Sequence, residues 1–234
     1  MRPQRVAVLA ITLLGCSPLG PPPPPPPAPT NAATAAFSRA TIVADVDDML
    51  ATLERVHPDL HSRVSRDSTR RMRDAFVASL PESAPRAGVW PEMARIVAAF
   101  GDGHTALGPP PEELDRFSIA GGLIFPAGVA LGAAKSLTVT GYFGSDSALA
   151  RGDEILAISG TSVDSLLRLF RAEISGETDT WRDYIALNQF GNYLWYNGIR
   201  APYRVEVRAS NGQTRGVSVR GERRDSVFAR ARRS

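Results

Sequence analysis

The chain has 234 residues, enough for one or two domains, and its hydrophobic content of 43% is ordinary for a globular core. The pI near 9.4 comes from arginines near both ends, and residues 17–219 hold slightly more acidic than basic side chains, so a basic nucleic-acid groove is not supported. The single cysteine, Cys16, excludes an intrachain disulfide and a cysteine-based metal site, and the sequence indicates no metal and no organic cofactor.

Residues 1–16 have the pattern of a lipoprotein signal peptide. Two arginines precede a short apolar run, residues 6–14, that cannot span a bilayer as a stable helix. The following Leu-Leu-Gly-Cys, residues 13–16, resembles the bacterial lipoprotein cleavage box, and the alternative is an ordinary signal peptide that contains a cysteine. We expect lipidation at Cys16 and a location in the bacterial cell envelope, anchored by lipid on the periplasmic side of the outer membrane or elsewhere outside the cytoplasm.

Residues 17–37 are predicted to form a tether, because the unbroken proline run at 21–27 favours an extended, semi-rigid chain. Hydrophobic residues at helical spacing then predict three helices. They cover residues 41–57, 66–79 with Ser65 as N-cap, and 89–100 with Pro91 in the first turn. Together these helices predict a small bundle over residues 38–108.

Histidines lie at two places in this helical region. The stretch His57-Pro58-Asp59-Leu60-His61 is interpreted as a structural turn and not as a metal site, because Pro58 separates the side chains and the spacing fits no standard site. Residues 100–105, Phe-Gly-Asp-Gly-His-Thr, must turn because two glycines flank an aspartate. A histidine on such a loop is a catalytic candidate, so we single out His104; the alternative is an Asp-Gly turn with a surface histidine.

The second half of the chain predicts a β-rich module over residues 116–219, after a proline linker at 109–111. The fold class is therefore α+β, with a small N-terminal helical bundle followed by this module. Its predicted elements are a loop entering a strand at 121–125, strands at 127–131 and 137–143, a strand after Gly152-Asp153, helices at 163–174 and 179–196, and a hairpin of 204–209 with 214–219. Residues 220–234 lack periodicity and are predicted to be a disordered, arginine-rich tail.

Two stretches carry a family resemblance. Residues 152–160, Gly-Asp-Glu-Ile-Leu-Ala-Ile-Ser-Gly, resemble the Gly-Asp-x-Ile-x-x-Ile-x-Gly signature of PDZ domains. Residues 53–60 and 100–105 look like the N-terminal part of the tail-specific (C-terminal processing) serine peptidases, most closely the tricorn-core-like branch. The resemblance covers roughly residues 41–219.

The resemblance implies a peptidase whose PDZ-like module binds the C-terminal end of a polypeptide by strand addition. Gly121, Gly122, Leu123 and Ile124 are the best candidates for the peptide-binding loop, and His104 would be the general base. The serine and its acidic partner would lie in a core beginning after residue 219, where the sequence departs from the family. We therefore expect that this chain alone does not hydrolyse peptides. Two explanations for the missing core stay open: a truncated or frameshifted reading frame, and a short member of the family.

Two other functions stay open. One is a non-catalytic envelope adaptor that binds protein C-termini through the same PDZ-like groove, and the other is a purely structural lipoprotein. In each case the expected partners are polypeptides and a membrane reached through the lipid anchor, and nucleic acid is not among them.

Overall fold

A computed structural model describes residues 36–133 and 136–233, all of them within one compact unit, Ala33–Ser234. The predicted lipidation site Cys16 and the proline run at 21–27 lie outside the described residues. The last residues of the predicted tether, 36 and 37, are described, and the prediction that the tether extends to residue 37 is wrong. Phe37 and Ser38 form a short strand that pairs antiparallel with Ser83 and Ala84, so the fold begins before residue 38.

The described residues alternate between helical and β segments. The helices are α1 (Arg39–Val56), α2 (Arg66–Ser79), α3 (Arg86–Ala98), α4 (Pro111–Ile119), α5 (Val163–Glu173), α6 (Asp179–Asn188), α7 (Phe190–Tyr196) and α8 (Arg224–Ala231). The strands are β1 (Phe37–Ser38), β2 (Ser83–Ala84), β3 (Leu123–Ile124), β4 (Ala127–Leu131), β5 (Leu137–Tyr142), β6 (Glu154–Ile158), β7 (Thr161–Ser162), β8 (Tyr203–Arg208), β9 (Thr214–Val219) and β10 (Glu222–Arg223). This arrangement confirms the α+β class.

Helices α1 and α2 form where the hydrophobic spacing predicts them. Each begins after a serine whose side-chain oxygen accepts a hydrogen bond from the backbone three residues on, Ser38 from Thr41 N and Ser65 from Ser68 N. Helix α1 ends at Val56, just before His57-Pro58, because the residue before a proline is disfavoured in helical conformation. The bounds predicted for α2 and its cap are confirmed.

Helix α3 is buried on two sides and joins the two hydrophobic clusters of the fold. Val89 and Ile96 pack in a cluster with α1 and α2, whereas Trp90 and Ala94 pack in the larger cluster under the sheet. The helix begins at Arg86, three residues earlier than predicted, so Pro91 lies inside it and not in its first turn. The C-terminal end of α3 therefore has little freedom to move relative to either cluster.

The sheet forms the second half of the fold. Its strand order is β4-β5-β6-β8-β9, all antiparallel, and β7 pairs with β6. The predicted β4–β5 pair and the β8–β9 hairpin are confirmed. Strand β8 alternates buried and exposed side chains, with Tyr203, Val205 and Val207 directed into the core.

The aromatic-rich segment after α5 is predicted as one helix but forms two. Helix α6 ends at Asn188, and α7 starts at Phe190 after Gln189, whose backbone is not helical. The break turns the aromatic residues of α7 inward, where Phe190 packs edge-on against Phe125 and Phe170. The aromatic side chains of α7 are thus core, whereas Trp181 and Tyr184 of α6 are exposed.

Two segments predicted to lack regular structure form elements. The proline run at 109–111 continues into α4, because Pro111 occupies the first helical position and two glutamates follow in the first turn. The segment after residue 219, predicted to be disordered, contains β10 and α8. Strand β10 pairs antiparallel with β3, and Val227 of α8 is buried in the large cluster. Within the described residues, none of the helices is long and apolar enough to cross a bilayer.

Helix α8 should contribute measurably to stability because Val227 is only 8% exposed. We expect Val227→Ala to lower the free energy of unfolding by about 1–2 kcal/mol, since two buried carbon groups are lost. The matched control is Arg232→Ala at the exposed end of the same helix, which should change stability by less than about 0.5 kcal/mol. Equal urea midpoints for Val227→Ala and the unmodified chain would show that α8 does not pack.

Candidate active site around Asp102 and His104

The candidate site is a tight turn at the C-terminal end of α3. Gly101 adopts a positive φ of 66° and its amide donates to the carbonyl of Ala98, which ends the helix. A Cβ at Gly101 would lie 2.8 Å from Cδ of the flexible Arg63 side chain, so it is the left-handed backbone conformation that favours glycine there. Because α3 is fixed by two hydrophobic clusters, the turn that follows it has a defined position.

The carboxylate of Asp102 organises this turn. Its Oδ2 accepts from Thr105 Oγ1 at 2.6 Å and from His57 Nε2 at 3.1 Å. Its Oδ1 accepts from the backbone amide of His104 at 2.9 Å and lies 3.3 Å from His104 Nδ1. The Thr105 hydroxyl, followed by the His104 amide and the two imidazoles, holds the pKa of Asp102 well below its ordinary value. Asp102 is therefore an anion that accepts on both oxygens.

His57 belongs to this site, which sequence reasoning missed. The stretch 57–61 does form a turn, as predicted, but the His57 ring also reaches Asp102 across 45 residues of sequence. Its Nδ1 accepts a hydrogen bond from the backbone amide of Asp59 at 3.1 Å. All three histidines lie in predicted turns, so the sequence did not show that His57 and His104 contact the same carboxylate.

The three histidines of the chain differ in how their ring nitrogens are used. Both nitrogens of His57 are hydrogen-bonded, and those of His61 lie 3.0 Å from the Val64 carbonyl and 3.0 Å from Glu54 Oε1. For His104, the structure shows a partner for Nδ1 and, among the described residues, none for Nε2. Its side chain is 97% exposed. His104 is thus the histidine whose second nitrogen is open to a reacting group.

His104 lies at a cavity of about 750 Å³ between the turn, α1 and the segment after α1. Its apolar lining includes Met49, Leu53 and Val56 of α1. Its polar lining includes Asp102 and Glu177. A concave space with mostly apolar lining and a few charged groups is the usual form of a binding site, and its volume lies within the ordinary range for ligand pockets.

Glu177, in the connection between α5 and α6, fixes the outer part of the turn. Its Oε1 accepts from the backbone amide of Gly103 at 3.1 Å, over 74 residues of sequence. A Cβ at Gly103 would lie 3.3 Å from Glu177 Oε2, so the approach is close. The Gly103 amide lowers the pKa of Glu177, which keeps this second carboxylate ionised beside the cavity. Sequence reasoning missed Glu177, since no local pattern marks it.

Asp102, His104 and Glu177 each place one potential ligand atom within 4.8 Å of the others, a spacing that one cation could bridge. Both oxygens of Asp102 already accept hydrogen bonds, and His104 and Glu177 are exposed. We therefore assign no cation to this cluster.

The predicted peptide-binding residues lie elsewhere in the fold. None of Gly121, Gly122, Leu123 and Ile124 is among the residues that line the cavity beside His104. Gly121 has a positive φ of 86°, and Gly122 packs against the ring of Phe117. Leu123 and Ile124 form β3, whose backbone pairs with β10, and Ile124 is buried. A peptide could add to that side of β3 only by displacing β10.

Comparison with known proteins gives a fold likeness. No family model and no curated protein matches the chain. Among solved structures, mature CPAF matches with a TM-score of 0.53 and 14% identity, and CPAF complexed with lactacystin matches with a TM-score of 0.56 and 12% identity. Each match covers 78% of this chain and 34% of the CPAF chain. A photosystem II D1 C-terminal processing protease matches with 16% identity, and its TM-score of 0.31 carries no argument about the fold.

The chain therefore spans about a third of the length of CPAF. The likeness shows that the described part of this chain shares its fold with a part of CPAF. At 12–14% identity the likeness establishes the fold and leaves the activity to be tested.

The Thr105 hydroxyl should be the main cause of the low pKa of Asp102. We expect Thr105→Val to raise that pKa toward the ordinary 3.8, as followed by ¹³C NMR titration of the carboxyl carbon. Because ionised Asp102 is favoured in the folded state, its contribution to stability is present above pH 3.8 and is lost as the pH falls further. The variant should lose less stability on acidification than the unmodified chain.

Ser62→Ala is the control for the Thr105 variant, since Ser62 lines the same cavity and the structure shows no hydrogen bond from it to Asp102. It should leave the Asp102 titration unchanged. The assignment is wrong if Thr105→Val and Ser62→Ala give the same Asp102 titration curve.

The Glu177 carboxylate should protect the Gly103 amide from exchange with solvent. We expect Glu177→Ala to raise the hydrogen-exchange rate of Gly103 N–H several-fold in the native protein, measured by NMR, because the acceptor at 3.1 Å is removed. Glu177→Gln keeps an acceptor oxygen in the same place and should retain most of the protection. Equal exchange in all three proteins would contradict the contact.

Proposed function

We propose that this chain is the N-terminal and peptide-binding portion of a tail-specific serine peptidase, with His104 as the general base. The observation that carries the proposal is the imidazole of His104, exposed at a 750 Å³ cavity, with one nitrogen beside anionic Asp102 and the other open. The resemblance of residues 53–60 and 100–105 to this family and the fold shared with a part of CPAF support it.

The chemistry asked of His104 is proton transfer to and from a serine. In the reaction, Nε2 of the imidazole takes the proton of a serine hydroxyl as its oxygen attacks the peptide carbonyl carbon, and the imidazolium then gives that proton to the leaving amine nitrogen. The negative charge of Asp102, 3.3 Å from Nδ1, stabilises the imidazolium between these steps.

The serine of this reaction is proposed to lie in a core outside residues 1–234. Ser62 lines the cavity, but in the described part of the chain no serine hydroxyl is hydrogen-bonded to His104. A serine with no positioned base and no oxyanion hole is a weak nucleophile. We therefore propose that the chain alone binds peptides without hydrolysing them.

We further propose that the chain contains a PDZ-like module and is anchored in the cell envelope. The β4–β9 sheet would be the PDZ-like module, supported by the Gly152–Gly160 signature, which leads from a Gly152 turn into β6 and ends at Gly160 with a φ of 85°. The paired state of β3 means that strand addition at Leu123–Ile124 would require β10 to move. Secretion and lipid anchoring at Cys16 rest on the N-terminal sequence pattern.

The test uses the protein isolated from its native membrane, in unmodified and His104→Ala forms. We expect the native protein to have a mass that exceeds residues 16–234 plus acyl groups by a further domain, and to cleave peptides. His104→Ala should lower kcat by roughly 10²–10⁴-fold with KM little changed, because proton transfer is lost while substrate contacts remain.

His61→Gln is the matched control, since the ring nitrogens of His61 are hydrogen-bonded to Glu54 and to the Val64 carbonyl, and its ring contacts the turn only at Phe100; it should not affect kcat strongly. Full peptidase activity in His104→Ala would overturn the role of His104. A native protein with the mass of the short chain that binds C-terminal peptides, cleaves none and ignores the His104 substitution would instead be an adaptor.

A further inference from the structure

The hydrogen bonds around Asp102 fix more than the shape of the turn. One carboxylate oxygen, Oδ2, accepts hydrogen bonds from Thr105 Oγ1 and His57 Nε2. These two bonds fix the orientation of the carboxylate group. The other oxygen, Oδ1, is left for His104 alone, through its backbone amide and its ring. The carboxylate therefore presents a single, oriented acceptor to the His104 imidazole.

The protonation of the His57 ring follows from its two partners. The backbone amide of Asp59 can only donate, so Nδ1 of His57 must accept and carries no proton. The proton of the neutral ring is then on Nε2, which donates to Asp102. His57 is thus a fixed neutral donor that helps to hold the carboxylate, and it has no free nitrogen with which to act as a base.

We propose that Asp102 is the positioning residue that sets the tautomer of His104, with the proton on Nδ1 and the lone pair on Nε2 directed away from the turn. An ionised carboxylate can only accept, so the 3.3 Å contact requires a proton on Nδ1 of His104. A free histidine side chain in water prefers the opposite tautomer, with the proton on Nε2. The Gly-Asp-Gly-His-Thr turn would therefore carry its own orienting acid, two residues before the base.

The catalytic meaning of this tautomer rests on the proposed function, because a general base needs its lone pair on the nitrogen that faces the substrate. The tautomer itself is a property of the described chain and can be measured without substrate. The two ideas can therefore fail separately. Absence of hydrolysis by the native protein would overturn the proposed function and leave the tautomer assignment standing.

The experiment is long-range ¹H–¹⁵N NMR of the ¹⁵N-labelled chain at a pH where the imidazoles are neutral. It assigns the protonated nitrogen of each histidine from the ¹⁵N shifts and the coupling pattern. We expect the Nδ1–H form to dominate for His104 and the Nε2–H form for His57. A wild-type His104 mainly in the Nε2–H form overturns the proposal without any variant.

The variant is Asp102→Asn, which keeps the size of the side chain and an oxygen for the His104 amide but removes the charge. We expect it to make the Nδ1–H form of His104 the minor one, and in the native protein to lower kcat by at least 10²-fold with KM little changed. An unchanged tautomer in a variant with a cooperative thermal transition overturns the proposal. Should the variant not fold, the wild-type spectrum decides alone.

Glu177→Gln is the matched control. It also removes one negative charge, within 4.8 Å of a His104 ring nitrogen, and keeps an acceptor for the Gly103 amide, but the structure shows no hydrogen bond between Glu177 and the His104 ring. His104 should stay in the Nδ1–H form in this variant. A tautomer change of the same size in Glu177→Gln and Asp102→Asn would show that net charge, not the Asp102 contact, sets the proton position.

Discussion

The position of the candidate site depends on the burial of α3 on two opposite sides. One face packs against α1 and α2 and the other against the sheet core. On the sheet side, Arg95 of α3 is 2.8 Å from Glu173, whose side chain is fully buried and also accepts from Asn197. Burial raises the pKa of Glu173, and Arg95 and Asn197 oppose that shift. Breaking this pair would leave a charge in the core, so the helix end that carries the turn is held in place.

Side chains from three distant parts of the sequence meet at the turn of residues 100–105. His57 follows α1, Asp102 follows α3, and Glu177 precedes α6. The His57 ring donates to an oxygen of Asp102, and the Gly103 amide donates to an oxygen of Glu177. Hydrogen bonds to a charged carboxylate are stronger than those between neutral groups. The geometry of this exposed turn is therefore supported by the buried helix α3 and by the carboxylates of Asp102 and Glu177, while the His104 ring stays accessible.

Elements with local signals could be predicted from sequence, and those defined by distant contacts could not. Ser65 followed by an amphipathic stretch determines α2 within its own fourteen residues, and the hairpin of β8 and β9 has its turn between its strands. In contrast, Val227 is the one residue that α8 buries, and the partner of β10 lies about a hundred residues away. The same holds for the site, since His104 is visible in a motif but His57 and Glu177 become relevant only when the chain has folded.

The pairing of β3 with β10 brings the two ends of the sheet segment side by side. The chain passes through Leu123–Ile124 into the sheet and returns through Glu222–Arg223, one strand spacing away. A segment whose ends are adjacent can be gained or lost by a host fold without stretching it, which is how inserted modules are tolerated. The β3–β10 ribbon thus closes residues 125–221 into a loop whose ends lie side by side, and the packing of α3 and the Gly103–Glu177 contact also join that loop to the helical part.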